Sequence, residues 1–206
     1  MSAWLDARGA ERDTYLITAD GRECAPGEYD LVVSLGSVAS AYDDSLPWVA
    51  READLLREAF DADVPILGIC FGSQILARAL GGRAMPSERP EVGWVPVRSE
   101  DPELISEGPW FQWHHDKFAP PAGARLLAEN PAGPQAFMLG RSLGVQFHPE
   151  VTIPIVGDWV ALGAESLAQH RVDPEDLMTR TRAIDNENRS RAWRLFDAFL
   201  SRVGLA

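Results

Sequence analysis

A cysteine stands where the hydrophobic pattern of the chain changes from strand-like to helix-like. Residues 64–69 form a short apolar run of strand length, whereas residues 73–80 repeat their apolar side chains at helical spacing. Gly68 and Gly72 flank Cys70, which is the spacing of a nucleophile elbow with cysteine in place of serine. Such a turn exposes the thiol and points a helix N-terminus at it, which favours the thiolate. Cys70 is therefore a candidate nucleophile, although this spacing alone fits a buried core cysteine equally well.

A histidine and a carboxylate follow the last short apolar segment that we assign as a strand. Residues 143–147 lead directly into His148, Pro149 and Glu150. Side chains two positions apart on an extended chain point to the same side, so Glu150 can hold one ring nitrogen of His148 and leave the other free. A lone histidine is more often structural, but this pair has the spacing of a base and the acid that orients it. Together with Cys70 it predicts nucleophilic catalysis.

Alternating strands and helices are predicted around these residues. Residues 30–35 form a near-continuous apolar strand, typical of a parallel sheet that is buried on both faces, and residues 48–60 have the spacing of a crossover helix. The loop between them contains Gly36, at the carboxyl end of the strand, where ligands bind in open α/β sheets. The order strand, helix, strand, elbow, helix predicts an α/β sandwich with a largely parallel sheet.

The other segments are assigned from the same periodicities and from turn residues. Helices are predicted over residues 2–8, 158–170 and 175–203, the last as one long helix or as two joined near residues 186–190. Strands are predicted over residues 14–18, 92–97, 125–128 and 135–138, with Pro96 placing the second of them at a sheet edge. Cys24 lies in a loop without a histidine or acid at useful spacing, so we interpret it as structural.

Composition and charge exclude several classes of partner. The 206 residues, 46% of them hydrophobic, can bury a full core, and we predict a single domain over residues 1–206. The net charge of −12 repels phosphate groups, so neither nucleic acid nor a membrane surface is an expected partner. The two cysteines cannot form a disulfide scaffold, which favours a reducing compartment. There is no apolar leader and no apolar run of roughly 20 residues, so we expect a cytoplasmic protein.

Two motifs and several shorter matches occur in the order found in a known family. The motifs are GICFGSQ at residues 68–74 and GVQFHPEV at residues 144–151, and the shorter matches are YDLVVSLGS, PEVGW, WHHD and QAF. Over residues 30–151 the chain resembles the class I glutamine amidotransferases, in particular their GMP-synthase-like glutaminase domains. The resemblance implies the flavodoxin-like fold of that family, a three-layer α/β sandwich with a mostly parallel central sheet.

The resemblance also implies a role for each matching residue. Cys70 would attack the side-chain amide carbon of glutamine, His148 would take the thiol proton and give one to the departing ammonia, and Glu150 would orient His148. The backbone N–H groups of Gly36 and Phe71 would bind the tetrahedral oxyanion. Water would then hydrolyse the thioester to release glutamate. Neither a metal ion nor an organic cofactor is implied.

Three further residues are assigned to substrate binding by position. Gln74 matches a residue that contacts the backbone atoms of the substrate glutamine. His114 and Asp116 lie at or beside the His-x-Asp position of the family, so we predict that both line the glutamine pocket. An ordinary polar loop is the alternative interpretation of this segment.

The chain departs from the family pattern in two places that concern the sheet. Leu35, Gly36 and Ser37 stand where members usually carry Gly-Gly-Pro, and because leucine takes positive φ only at a cost, we expect a differently shaped oxyanion loop. The family opens with an apolar strand and a helix, of which only the tail of the helix is recognisable, at residues 3–9. We therefore expect the first strand to be absent, either because Met1 is an internal start or because another element fills its place.

Three functions remain open for the same set of residues. The first is a glutamine amidotransferase that passes ammonia to a separate synthetase, since the chain has no nucleotide-binding glycine loop of its own. The second is a stand-alone hydrolase of γ-glutamyl bonds in peptides or conjugates, with water as the acceptor. The third is a non-catalytic binding or scaffold member, which the intact Cys-His-Glu set argues against.

Overall fold

The computed structural model describes residues 1–19 and 24–205, which form two sheets and six α-helices. The strands are β1 (Val32–Ser34), β2 (Ile66–Ile69), β3 (Arg83–Val95), β4 (Arg98–Ser99), β5 (Trp110–Ala119), β6 (Arg125–Asn130), β7 (Gly133–Leu139) and β8 (Ser142–Val145). The helices are α1 (Ser2–Asp6), α2 (Pro47–Asp61), α3 (Phe71–Ala79), α4 (Ile153–Leu162), α5 (Ala164–His170) and α6 (Pro174–Arg202).

The larger sheet gathers the predicted site residues at one edge. Its strand order is β1-β2-β8-β7-β6-β4, with parallel pairing from β1 through β2 to β8 and antiparallel pairing beyond β8. Parallel strands end at the same edge of a sheet, so the residues that follow β1, β2 and β8 become neighbours. These are the residues that contain Gly36, Cys70 and His148.

Helices cover both faces of this sheet, which confirms the predicted three-layer α/β arrangement. On one face Ile66 of β2 packs in a buried cluster with Val49 of α2 and Ile75 of α3. On the other face Leu67, the next residue of β2, packs with Trp4 of α1 and with the α6 cluster. Consecutive residues of a strand point to opposite faces, which explains why the whole of β2 is apolar and buried.

Strands β3 and β5 form a separate two-stranded antiparallel sheet. The predicted strand at residues 92–97 overlaps only the end of β3, which begins at Arg83 and ends at Val95. Its first half is mostly polar and half-exposed, with a register shift between Pro86 and Glu91, so hydrophobic periodicity does not reveal it. The second half contributes Trp94 to a buried cluster with Phe111 of β5.

The predicted strand at residues 14–18 is wrong, because none of those residues is in a strand. A strand needs a neighbour for its backbone hydrogen bonds. In the part of the chain that the structure describes, β1 pairs only with β2, and Leu16 is 58% exposed. The first strand of the family pattern is therefore not seen among residues 1–19 and 24–205, as expected.

The C-terminal segment is one helix of 29 residues, α6, instead of two. Asp173 caps it by accepting hydrogen bonds from the backbone N–H groups of Glu175 and Asp176, and Pro174 occupies the first helical position. Among the residues described, no helix has both the length and the apolar character needed to cross a membrane.

Candidate active site

Cys70 lies at a strained turn between β2 and α3. Its φ of 53° and ψ of −111° fall outside the regions that non-glycine residues usually occupy, and such strain collects at functional sites. Hydrogen bonds on both sides hold the turn. The Cys70 N–H donates to the carbonyl of Val145 at 2.8 Å, and the Cys70 carbonyl accepts from the N–H groups of Ser73 and Gln74.

The two glycines of the elbow are required by close backbone contacts. A Cβ on Gly68 would stand 2.5 Å from the carbonyl oxygen of Gly72, and a Cβ on Gly72 would stand 2.1 Å from that of Ser34. Because real Cβ atoms essentially never come this close to backbone, both positions need glycine. The second contact brings the end of β1 against the start of α3, beside Cys70.

His148 is held in place from three directions. Its Nδ1 lies 2.7 Å from Oε1 of Glu150, and its backbone N–H donates to the carbonyl of Phe111 at 2.8 Å. Its ring also packs against Trp159 of α4 in a T-shaped contact, with the ring centroids 4.8 Å apart. The Glu150 contact fixes the orientation of the ring and leaves Nε2 for another partner.

Electrostatics favour the charged form of His148. Burial of the ring by itself lowers the pKa of His148. The negative charges of Glu150 and Cys70, together with the hydrogen bonds that His148 makes to both, outweigh that effect and raise its pKa well above the usual 6.5.

Gly36 and Phe71, the two residues predicted to bind the oxyanion, both lie next to Cys70. A Cβ built on Gly36 would be 3.2 Å from Cε1 of His148 and 3.9 Å from the Cβ of Cys70, so Gly36 borders both side chains. Phe71 is the first residue of α3, and the first N–H groups of a helix have no partner within the helix. Leu35 is not among the described non-glycine residues with positive φ, so the oxyanion loop accommodates leucine there without that strain.

Gln74, His114 and Asp116 meet, although they do so chiefly through the backbone of Asp116. The carbonyl of Asp116 lies 3.0 Å from Nε2 of Gln74 and 2.8 Å from Nδ1 of His114. The carboxylate of Asp116 accepts hydrogen bonds from Ser40 and Tyr42, in the loop after β1. Asp116 thus connects β5 to the loop that contains Gly36.

The ring of His114 is buried and has a partner at each nitrogen. Besides the Asp116 carbonyl at Nδ1, its Nε2 lies 3.2 Å from Oε2 of Glu91 on the paired strand β3. Glu91 also accepts hydrogen bonds from Asn130 and Gln135. The structure therefore places His114 as a support beneath Asp116, with no nitrogen left for another hydrogen bond.

Two groups near Cys70 were missed by reasoning from the sequence. The Nε2 atom of Gln146 lies 3.8 Å from Sγ of Cys70, and the Trp113 carbonyl lies 4.0 Å from the same sulfur. Gln146 stands two positions before His148, but residues 146–147 form a bend after β8, so the alternation of a strand does not place it beside Cys70. The Trp113 carbonyl belongs to the backbone of β5 and has no signal in the sequence.

A model of a known protein family matches most of the chain. Residues 5–157 match the family model described as glutamine amidotransferase class-I, and this range includes Cys70, His148 and Glu150. The chain belongs to the class I glutamine amidotransferase family. No group of three or more histidine, cysteine, aspartate or glutamate side chains suited to a metal ion occurs in the part of this amidotransferase that the structure describes.

Solved structures support the fold over nearly the whole chain. A glutamine amidotransferase from Thermotoga maritima aligns with a TM-score of 0.86 and 27% identity, covering 100% of this chain and 91% of that one. A glutamine amidotransferase from Methylobacillus flagellatus aligns with a TM-score of 0.89 at 24% identity, covering 97% and 88%. At the latter identity the likeness concerns the fold alone.

Curated relatives are longer than this amidotransferase. The glutamine-hydrolyzing GMP synthase of Burkholderia cenocepacia is 34% identical over 154 residues, which are 66% of this chain and 27% of that protein. The corresponding protein of Aeropyrum pernix is 36% identical over 112 residues, 50% of this chain and 22% of that protein. The chain thus matches about a quarter of the length of these relatives.

Proposed function

We propose that this protein hydrolyses the side-chain amide of glutamine and supplies the ammonia to a separate synthetase. One observation carries the proposal: Cys70 stands on a strained elbow, Gly36 borders both Cys70 and His148, and Glu150 holds the His148 ring at 2.7 Å. A thiol, a base and an acid that orients the base are the parts that acyl transfer by a cysteine nucleophile requires.

In the proposed reaction, the thiolate of Cys70 attacks the amide carbon of glutamine. The imidazolium of His148 gives its proton to the nitrogen of the tetrahedral intermediate, so that the C–N bond breaks and ammonia leaves. His148, now neutral, removes a proton from water, which attacks the thioester carbon and releases glutamate. Glu150 keeps the ring oriented and stabilises its charged form during both steps.

The backbone N–H groups of Phe71 and Gly36 are the proposed donors to the oxyanion. The former belongs to the first residue of α3, and the latter lies next to both Cys70 and His148. Removal of one oxyanion donor in such a site costs about 10²- to 10³-fold in rate. Any substitution except proline leaves the backbone N–H in place, so a side chain added at Gly36 acts by displacing this donor.

For substrate binding, we assign different tasks to the three predicted residues. The carboxylate of Asp116 is half-buried and near the loop after β1, so it can attract the α-amino group of glutamine. Gln74 and His114 both donate to the Asp116 backbone, and we assign them to hold it in place. A polar substrate end fixed in this way leaves the amide end free to reach Cys70.

A separate acceptor enzyme is proposed from the relatives. Those proteins are named as glutamine-hydrolyzing GMP synthases, and the matched part is about a quarter of their length. The family model that matches residues 5–157 spans the Cys-His-Glu set. We therefore assign glutamine hydrolysis to this chain and the use of ammonia to a synthetase that binds it.

The test is release of glutamate from L-glutamine by the purified protein, alone and with candidate synthetases. We expect turnover that rises when the cognate synthetase is present and that falls by at least about 10³-fold in Cys70→Ala. Efficient cleavage of γ-glutamyl dipeptides by the protein alone, without a response to any synthetase, would identify a γ-glutamyl hydrolase instead. Absence of both activities from folded protein would contradict a catalytic role.

A further inference from the structure

The side chain of Gln146 lies in the interior between Cys70 and Gln74. It follows β8 directly and is completely buried. Its Oε1 lies 3.3 Å from Nε2 of Gln74, and its Nε2 lies 3.8 Å from Sγ of Cys70. A buried amide in contact with a nucleophilic sulfur can change the balance between its neutral and charged forms.

The hydrogen-bond network determines which end of the Gln146 amide faces the sulfur. The backbone carbonyl of Asp116 can only accept, so the group of Gln74 that lies 3.0 Å from it must be the NH₂ group. That NH₂ group has a second hydrogen to give, and the atom of Gln146 beside it is therefore the carbonyl oxygen. The NH₂ group of Gln146 is left to face Cys70.

The sulfur consequently has a different partner in each of its forms. The neutral thiol can donate to the Trp113 carbonyl, 4.0 Å away, whereas the thiolate can only accept. The NH₂ group of Gln146 is a donor already aimed at it, and its orientation is fixed by the network instead of by water. Hydrogen bonds to the charged form of a group favour that form, particularly where water is excluded.

We propose that Gln146 is a further functional residue of the site, which donates a hydrogen bond to the thiolate of Cys70. Gln74 keeps the donor in position, so a chain of amides runs from the backbone of Asp116 to the nucleophile. The importance of this bond for turnover rests on the proposed function. Its effect on the reactivity of the sulfur does not, and can be measured without any glutamine.

The experiment compares Gln146→Met with Gln112→Met. Methionine keeps the approximate volume of glutamine and removes the donor. Gln112 is equally buried and donates at 2.7 Å to Gln135. Its variant therefore loses a buried amide that makes no hydrogen bond to Cys70. The rate of Cys70 alkylation by iodoacetamide is followed by peptide mass mapping, at about pH 6.5 and at about pH 9.5, on either side of the usual cysteine pKa.

We expect Gln146→Met to slow alkylation about 10-fold at the lower pH, the effect of losing one hydrogen bond to a charged group. At the higher pH, where an ordinary thiol is already ionised, the rates should agree within about 2-fold. The alkylation rate of Gln112→Met should equal that of the wild type at both pH values. Equal slowing of both variants, or slowing of Gln146→Met that is the same at both pH values, would overturn the proposal.

If Gln146→Met does not fold, a second variant tests the proposed hydrogen bond from Gln146 to Cys70. Gln74→Leu leaves Gln146 in place but removes the donor that fixes its orientation. A smaller loss of rate at about pH 6.5, of about 3-fold, supports the proposal, and a rate equal to that of the wild type overturns it. If the wild-type protein hydrolyses no glutamine while these rate differences appear, the proposed function fails and the role of Gln146 at the sulfur stands.

Discussion

His148 combines burial with a positive charge, which is costly unless neighbouring groups compensate it. Glu150 and Cys70 provide that compensation and raise the pKa of His148 well above its usual value. The ring can therefore hold its proton at neutral pH until a leaving group takes it. This behaviour suits a general acid in the first step of amide cleavage.

Replacing Glu150 with glutamine tests this account of the base. The amide keeps the shape but not the charge, so we expect the pKa of His148 to fall and glutamine turnover to drop by about 10²- to 10⁴-fold. Steady-state kinetics and titration of the ring by NMR measure the two effects. Glu58→Gln, an exposed position on α2, is the matched control and should leave both unchanged. An unaltered pKa of His148 in Glu150→Gln would contradict the assigned compensation.

The elbow is positioned by the contact between α3 and β1. Gly72 of α3 lies against the backbone of Ser34 in β1, with no room for a side chain between them. A shift of either element would therefore move Cys70 relative to the end of β1. The same contact places Gly36, two residues beyond Ser34, beside His148. Packing of main chain on main chain thus sets the distance between the nucleophile and the proposed oxyanion donor.

Gly72→Ala is expected to disrupt that contact. The added methyl group would meet the Ser34 carbonyl oxygen at 2.1 Å, so we expect a loss of about 1–3 kcal/mol in the free energy of unfolding, and reduced turnover. Urea unfolding measures the stability. Gly27→Ala is the control, since its methyl group would lie 3.7 Å from Ala62, an ordinary contact. Equal stabilities of the two variants would contradict the predicted clash.

Helix α5 is joined to β5 by a pair of histidines. Nε2 of His170 lies 3.0 Å from Nε2 of His115, which requires one ring to donate and the other to accept. Burial, followed by the neighbouring His115 and His114, lowers the pKa of His170. Because protonation is less favourable in the folded state, the contact stabilises the fold above the usual pKa of about 6.5. That contribution is lost as the pH falls.

His170→Ala should therefore reduce the dependence of stability on pH. We expect the wild type to lose more free energy of unfolding than the variant between about pH 7.5 and about pH 5.5. Urea unfolding at the two pH values provides the comparison. His148 remains in both proteins, so its contribution cancels in the difference. An equal or larger loss in His170→Ala would contradict the assigned contact.

At the scale of the whole molecule, α1 and α6 form the layer on the face of the sheet opposite α2 and α3. Trp4 is only 3% exposed, packs against Phe196 with ring centroids 5.1 Å apart, and donates from Nε1 to Asp197 at 2.9 Å. A short helix thereby covers apolar surface of the sheet near the edge strand β1. Within residues 1–19 and 24–205, where β2 is the strand neighbour of β1, this packing covers one face of β1.

Trp4→Ala is expected to lower the free energy of unfolding by about 3–5 kcal/mol, the cost of emptying a buried aromatic site. Urea unfolding measures it. Leu162→Ala serves as the control, because Leu162 is 87% exposed and its loss should change stability by less than about 0.5 kcal/mol. A comparably small effect of Trp4→Ala would show that α1 is not part of the core.

The sequence was sufficient to predict strands and site residues wherever the local hydrophobic pattern agrees with the packing. Cys70 and His148 follow apolar strands that the sequence predicts, and the parallel pairing of these strands brings their ends together. Residues 83–91 were missed because a half-exposed strand has little hydrophobic pattern. Residues 14–18 have the composition of a strand, but pairing depends on a neighbour that composition does not reveal.

The contacts around the site were less accessible to sequence reasoning than the triad itself. That His114 lines the pocket stays a prediction, and the pairing of β5 with β3 directs its two nitrogens at Asp116 and Glu91. That register cannot be derived from either strand alone. The proximity of Gln146 to Cys70 depends in the same way on the pairing of β2 with β8.

Labelling with a glutamine-like alkylating agent tests the central claim most directly. The protein is incubated with the agent, digested and mapped by mass spectrometry, with and without excess L-glutamine. We predict one adduct per chain, on the peptide that contains Cys70, and protection of that peptide by glutamine. Modification of Cys24 in its place, or labelling of Cys70 that glutamine does not slow, would contradict the assignment of Cys70 as the nucleophile of a glutamine site.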